Sequence, residues 1–184
     1  MFLNWNLFLA FIPWALTSFA VVKVNVQKSK IILPLLMGFW LLFFPNAPYV
    51  LTDLFHLRSG AAMPIWYDLL LILSFAWTSL LFGFLSLWDM EFILSQKIKK
   101  NIAPFTVPLI SMGLLFIGSF GVYIGRYLRW NSWDIITKPF HLFSDIGIRV
   151  LNPLEHRSAW GMTLFMGLFL NILYWSFRLI KKRP

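Results

Sequence analysis

The stretch IILPLLMGFWLLFFPNAPYVLTDLFH, residues 31–56, decides how this chain is built. It opens as an apolar helix and carries no charge until Asp53. Ile31 to Phe44 is 14 residues, about 21 Å of helix at 1.5 Å per residue, which falls short of a ~30 Å hydrocarbon core. Pro45 and Pro48 then arrive. Each removes a backbone donor and crowds the preceding turn, so the spacing predicts a second span that breaks at Pro45 to Pro48 while still at membrane depth. Broken backbone there must be buried in protein or line a wet cavity, because lipid offers it no hydrogen bonds. Asn46 is suited to satisfy the freed groups or to cap the next helix, and Pro48 suits a first helical turn. A short helix from Pro48 would place Tyr49, Thr52 or Asp53, and His56 on one face.

The composition around this stretch belongs in lipid. Of the 184 residues, 59% are hydrophobic and 12% charged, too little polar surface to coat a soluble globule. Apolar runs long enough to cross a bilayer fall at Trp5 to Val22, Ile31 to Leu51, Trp66 to Trp88, Ala103 to Gly125 and Ala159 to Leu179. The expected fold is therefore all-α, a polytopic transmembrane bundle of five helices with a broken second helix, in a single transmembrane domain over 1–184. Trp5, Trp66, Trp130, Trp133 and Trp160 lie near one set of helix ends, and Trp88 and Trp175 near the other, as interfacial aromatic belts require. Trp14, Trp40 and Trp77 fall inside spans and read as packing residues.

The net charge of +9 does not indicate nucleic acid. Binding a phosphate backbone needs a basic face or stripe, and these charges sit in short clusters between apolar runs. With no cysteine, disulfides, thiolate metal sites and cysteine nucleophiles are excluded. Met1 to Leu7 contains no Lys or Arg, so the first run reads as an uncleaved helix rather than a signal peptide.

Loop charges give an orientation. Lys23, Lys28, Lys30, Lys97, Lys99, Lys100, Arg178, Lys181, Lys182 and Arg183 make ten of the 16 basic residues, and all face the cytoplasm if the N-terminus is outside. Asp89 and Glu91 fall in the cytoplasmic segment 89–101 on this reading. The three histidines and the other five acidic residues then face outward, so the outer side is where a site is expected.

Asp68 lies just inside the third span and needs a partner, and Arg126, at the end of the fourth span, is the preferred one for Asp68 or Asp53. Gly118, Gly121 and Gly125 give the fourth span a small-residue face for close packing. Asn4 and Asn6 lie at the same end as this cluster. Asp53, His56 and Asp68 are the candidate catalytic residues, as an acid/base set or as ligands of a divalent metal, since one His and two carboxylates suffice for a facial site if they converge. Asn46, Tyr49, Thr52, Arg126, Arg129, Asn131 and Asp134 are the candidate substrate-binding residues, the two arginines suiting an anionic headgroup. Pro139 to Leu151 reads as an amphipathic helix on the outer leaflet, with His141, Asp145 and Arg149 as its polar stripe.

Asn4-Trp5-Asn6-Leu7, Phe44-Pro45-Asn46-Ala47-Pro48-Tyr49 with Thr52-Asp53, Trp66-Tyr67-Asp68, and Gly125-Arg126 through Arg129-Trp130-Asn131-Ser132-Trp133-Asp134 together resemble the bacterial Domain of Unknown Function 1361 family of small polytopic membrane proteins. The resemblance implies a bacterial inner (plasma) membrane protein and carries no activity with it. Function has to be read from the site. The expectation is an outward-facing polar pocket of a membrane-embedded enzyme acting on a lipid or lipid-linked substrate. The alternatives are a small-solute binding or transport component and a structural or assembly protein without catalysis. Partners beyond the lipid bilayer and such a substrate are not specified by the sequence, and no nucleic acid is expected.

Overall fold

The structure, a computed structural model, describes residues 2–57 and 64–181, without the side chains of His56 and Lys181. Among the described residues it is helical throughout, with no strand. Five helical stretches are long and apolar enough to cross a membrane: Phe2–Val22, Ile32–Phe55, Ile65–Lys97, Ala103–Tyr127 and Arg157–Ile180. They coincide with the five apolar runs, and the chain is a multi-pass membrane protein. It divides into two compact units, Met1–Ser111 and Met112–Pro184.

In the first unit, α1 (Phe2–Val22) ends where Gln27 of the short α2 (Val24–Lys28) folds back. Its side-chain amide donates to the carbonyls of Ala20 at 3.0 Å and Val21 at 2.9 Å, supplying partners that a helix C-terminus otherwise lacks. α3 (Ile32–Phe43) starts beneath Ser29, whose hydroxyl accepts the Ile32 N–H at 3.1 Å. Ala20, Val26, Leu33, Leu36 and Ile93 form a buried apolar cluster at this end.

The proline segment differs from expectation in kind. α3 stops at Phe43, one turn of α-helix follows as α4 (Asn46–Tyr49), and a 3-10 segment runs over Val50–His56. The backbone between them stays right-handed helical, with φ/ψ of −53°/−40° at Phe44, −60°/−21° at Pro45 and −59°/−25° at Val50. The span is thus interrupted in its hydrogen bonding without unwinding: proline fixes a φ that suits a helix, while its missing donor and its ring break the ladder. The interruption is buried in protein: Phe44, Ala47, Pro48 and Val50 are all inaccessible.

What covers it is α1 together with α5 (Ile65–Lys97). Ser79, Gly83 and Ser86 recur along one face of α5. The Ser79 hydroxyl donates to the Ala47 carbonyl at 2.8 Å. Ser86 donates to the Gly83 carbonyl at 2.8 Å and accepts the Trp40 indole N–H at 3.1 Å. Trp40, fully buried against Phe44 with ring centroids 4.7 Å apart, is a packing residue as expected. Trp14 also packs, stacked on Phe82 at 5.5 Å. Trp77 does not: it is 56% exposed on the outward face of α5.

The third span also ends later than the apolar run suggests. α5 continues past Trp88 to Lys97, so Asp89 and Glu91 are helical rather than part of a loop. They are tolerated there because hydroxyls meet them. Thr17 and Ser18 of α1 both donate to Asp89 Oδ2 at 3.1 Å, and Ser111 donates to Glu91 Oε1 at 2.6 Å. Charge-assisted bonds of this kind offset the cost of a carboxylate away from water.

The second unit contains the C-terminal part of α6 (Ala103–Tyr127), α7 (Asp134–Thr137), α8 (Pro139–Leu151) and α9 (Arg157–Lys181). A Cβ on Gly167 of α9 would collide with the Phe116 ring of α6, so glycine permits this close helix approach. Phe120 stacks on Trp160 with centroids 5.8 Å apart, and the Trp160 indole donates to the Arg149 carbonyl at 3.0 Å, tying α9 to α8.

Candidate functional site

The polar residues of the second span divide into those that repair the helix and one that does not. The Asn46 side-chain amide donates to the Phe43 carbonyl at 2.9 Å, answering the acceptor freed at the proline break. Thr52, itself buried, donates its hydroxyl to the Tyr49 carbonyl at 2.7 Å. Their donors serve their own backbone, as short polar side chains do beside an interrupted ladder. Tyr49 is half-buried. Asp53 differs. Its residue is 1% exposed, and its Oδ2 accepts a 3.0 Å hydrogen bond from the Asn6 side chain, 47 positions away on α1. A carboxylate so fully removed from solvent is costly unless donors hold it, and Asn6 is one such donor. Asn4, also placed at this end by the sequence, is exposed.

The remaining expected residues are distributed differently. Asp68 lies in the first turn of α5, half-buried, and accepts no hydrogen bond from any described residue. The His56 side chain is outside the described residues, and so is the metal-site expectation for Asp53, His56 and Asp68 that depends on it. Among the described residues no group of three or more His, Cys, Asp or Glu side chains converges on a metal position. Arg126, half-buried in the last turn of α6, belongs to the second unit, so its pairing with Asp53 or Asp68 stands as an expectation of the sequence.

Also in the second unit, Arg129 has φ of 60°, the left-handed conformation that terminates α6. The chain turns there so that the Trp130 N–H reaches back to the Ile124 carbonyl at 3.4 Å. Asn131 and Asp134, two of the expected substrate-binding residues, are hydrogen-bonded to each other. Asp134 Oδ2 accepts the Asn131 backbone N–H at 2.7 Å and its side-chain amide at 3.3 Å, while Oδ1 accepts the Thr137 hydroxyl at 3.1 Å. The Asn131 N–H is the main cause that lowers the Asp134 pKa below the ordinary carboxylate value. This is the reciprocal bond of a capping box, a carboxylate three residues on reaching back to a backbone N–H, and it leaves the binding reading of Asn131 and Asp134 open. On α8 the expected stripe is present: Arg149 Nη1 pairs with Asp145 Oδ1 at 3.3 Å, and Asp145 Oδ2 accepts the Trp130 indole N–H at 2.8 Å.

Two structural features escape the sequence reading. The hydroxyl-held carboxylates Asp89 and Glu91 were placed in a basic loop, although Thr17, Ser18 and Ser111 were the signal that could have marked their partners. The serine-glycine face of α5 needed the register of α4 against α5, which no local pattern supplies.

The profile of a family described as "Protein of unknown function (DUF1361)" matches residues 5–173, nearly the whole chain. The chain belongs to this family. The match takes in Asn6, Asp53, the proline break and the α8 stripe together, so every part of the candidate site lies inside the family's own span. No curated protein and no solved structure matches the chain. Membership in DUF1361 supplies no reaction.

Proposed function

We propose that this protein is a membrane-embedded enzyme acting on a lipid or lipid-linked substrate, with Asp53 as its acid/base group. The observation that carries the reading is the Asp53 carboxylate, 1% exposed at the end of an interrupted span and held by Asn6 of another helix. Intramembrane carboxylates are costly and are concentrated at working sites. Asn46 and Thr52 answer the backbone on either side of Pro48, which fixes the segment that carries Asp53. The reading places the protein in a bacterial inner membrane with the N-terminus outside, so that the substrate is met on the extracytoplasmic side. A reporter fused after Lys182 is then expected to be active only in the cytoplasmic sense, and one after Gly60 only in the external sense. The reverse pattern would move the Asp53 end of the protein to the cytoplasmic side.

A substrate-trap experiment tests the activity. Asp53→Asn keeps the side-chain volume and one acceptor oxygen for Asn6 while removing the titratable group, so binding is expected to persist and turnover to stop. Lipids extracted from the purified variant should contain an amphiphile that wild-type protein does not retain, read by mass spectrometry. Identical lipid profiles from the two proteins would count against an enzyme.

A second reading is favoured by a specific observation. The Ser79 bond to the Ala47 carbonyl and the Gly83 contact with Ala47 lock the interrupted span onto α5. Under a purely structural or assembly role, the Asn6 bond to Asp53 belongs to the same lock. That role predicts that Asp53 variants lose stability and function together.

A further inference from the structure

We propose that the cleft at the start of α8 binds the phosphate headgroup of a membrane phospholipid. The cleft has a volume of about 660 Å³ and lies within the second unit, lined by Trp130, Lys138, Phe140, His141, Ser144 and Asp145 with two neighbours. Lys138 brings the fixed positive charge and Asp145 the negative one. The Asp145 carboxylate is already engaged, by Arg149 at 3.3 Å and by the Trp130 indole at 2.8 Å. Asp134, the other carboxylate close to Lys138, is held by Asn131 and Thr137 and lies near enough to Lys138 to feel its charge. The lining that remains to meet a ligand is therefore rich in donors: the Lys138 ammonium, the His141 imidazole and the Ser144 hydroxyl, all on exposed residues. A phosphate is the acceptor such a set suits.

The rim identifies the source of that phosphate. Ile136 is 78% exposed and Phe140 88%, on either side of Lys138, and Phe143 is exposed on the next turn of α8. A free phosphate gains nothing from these side chains, whereas the acyl chains of a phospholipid would cover them. A lysine flanked by exposed apolar groups, just before a polar-striped helix in a multi-pass membrane protein, is matched in both parts by an amphiphile with an anionic head. The assignment is independent of the role given to Asp53.

Native mass spectrometry of the detergent-purified full chain, titrated with phosphatidylglycerol or with diacylglycerol of the same acyl chains, tests it. Phosphatidylglycerol is expected to be retained in preference to diacylglycerol. Lys138→Gln should weaken that retention about fivefold, the effect of one basic residue near an anionic lipid surface. Lys138→Arg should keep it, and Lys97→Gln, at the end of α5, should leave it unchanged. Equal retention of the two lipids would overturn the proposal, as would wild-type retention in a folded Lys138→Gln variant. Inorganic phosphate binding alone as tightly as the lipid would make this a site for the free anion and overturn the lipid assignment.

Discussion

Replacing Gly83 by alanine is expected to destabilise the protein by about 1–3 kcal/mol, the cost of forcing an extra methyl into a filled contact. A Cβ at this position would lie 2.8 Å from the Ala47 Cβ, closer than two methyl groups can stand. Neither side can yield cheaply. Ala47 is fully buried in the single α-helical turn Asn46–Tyr49, and its carbonyl is pinned by Ser79 one turn along α5. Separating the helices enough to admit the methyl would stretch that bond and the Trp40 bond to Ser86 as well. The double variant Gly83→Ala with Ala47→Gly removes the collision and should recover stability, apart from the roughly 1 kcal/mol that glycine costs in a helix. Thermal unfolding in detergent measures wild type, the two single variants and the double variant. A non-additive recovery locates the strain at the α4–α5 contact. An unchanged midpoint for Gly83→Ala would mean that the interrupted span does not rest on α5 as described.

The parts of this molecule that the sequence made legible are those in which local chemistry dominates. Twenty or so apolar residues between charged or aromatic ends define a span whatever surrounds them, and all five were readable for that reason. The proline break was equally local, as was the Asn46 side chain that answers it, and the Asp145–Arg149 stripe of α8 followed from helical spacing alone. What the sequence hid depends on partners far along the chain. Asp89 and Glu91 looked like members of a basic loop because Lys97, Lys99 and Lys100 follow closely, and the hydroxyls that keep them helical come from Thr17, Ser18 and Ser111. Trp77 looked like packing because it sits mid-span, yet only the rotation of α5 decides which of its faces is covered. The candidate site shows the same division. Asp53 was singled out from its own segment, while the donor that holds it required α1 to lie against the 3-10 turn. Asn131 and Asp134 were readable as polar groups at a helix end. Their spacing of three residues suits a self-contained turn as well as a binding site, and the turn is present.

Loss of function in Asp53→Asn without loss of fold is the second large effect expected. The amide retains an oxygen for the Asn6 donor at the 3.0 Å contact, so the stability change should stay near 1 kcal/mol, the difference between a charged and a neutral acceptor. If Asp53 performs acid/base chemistry, the same change removes the only titratable function of the side chain and activity should fall by 10²-fold or more, the order contributed by a positioned general acid or base. Asp89→Asn is the matched control: it also neutralises a carboxylate held by side-chain donors, Thr17 and Ser18, and it has no part in the proposed chemistry. The decisive measurement sets thermal stability in detergent beside complementation of a deletion strain for wild type, Asp53→Asn and Asp89→Asn. The account predicts three folded proteins, of which only Asp53→Asn fails to complement. Complementation by a folded Asp53→Asn variant, or a parallel collapse of its stability and function, would contradict it.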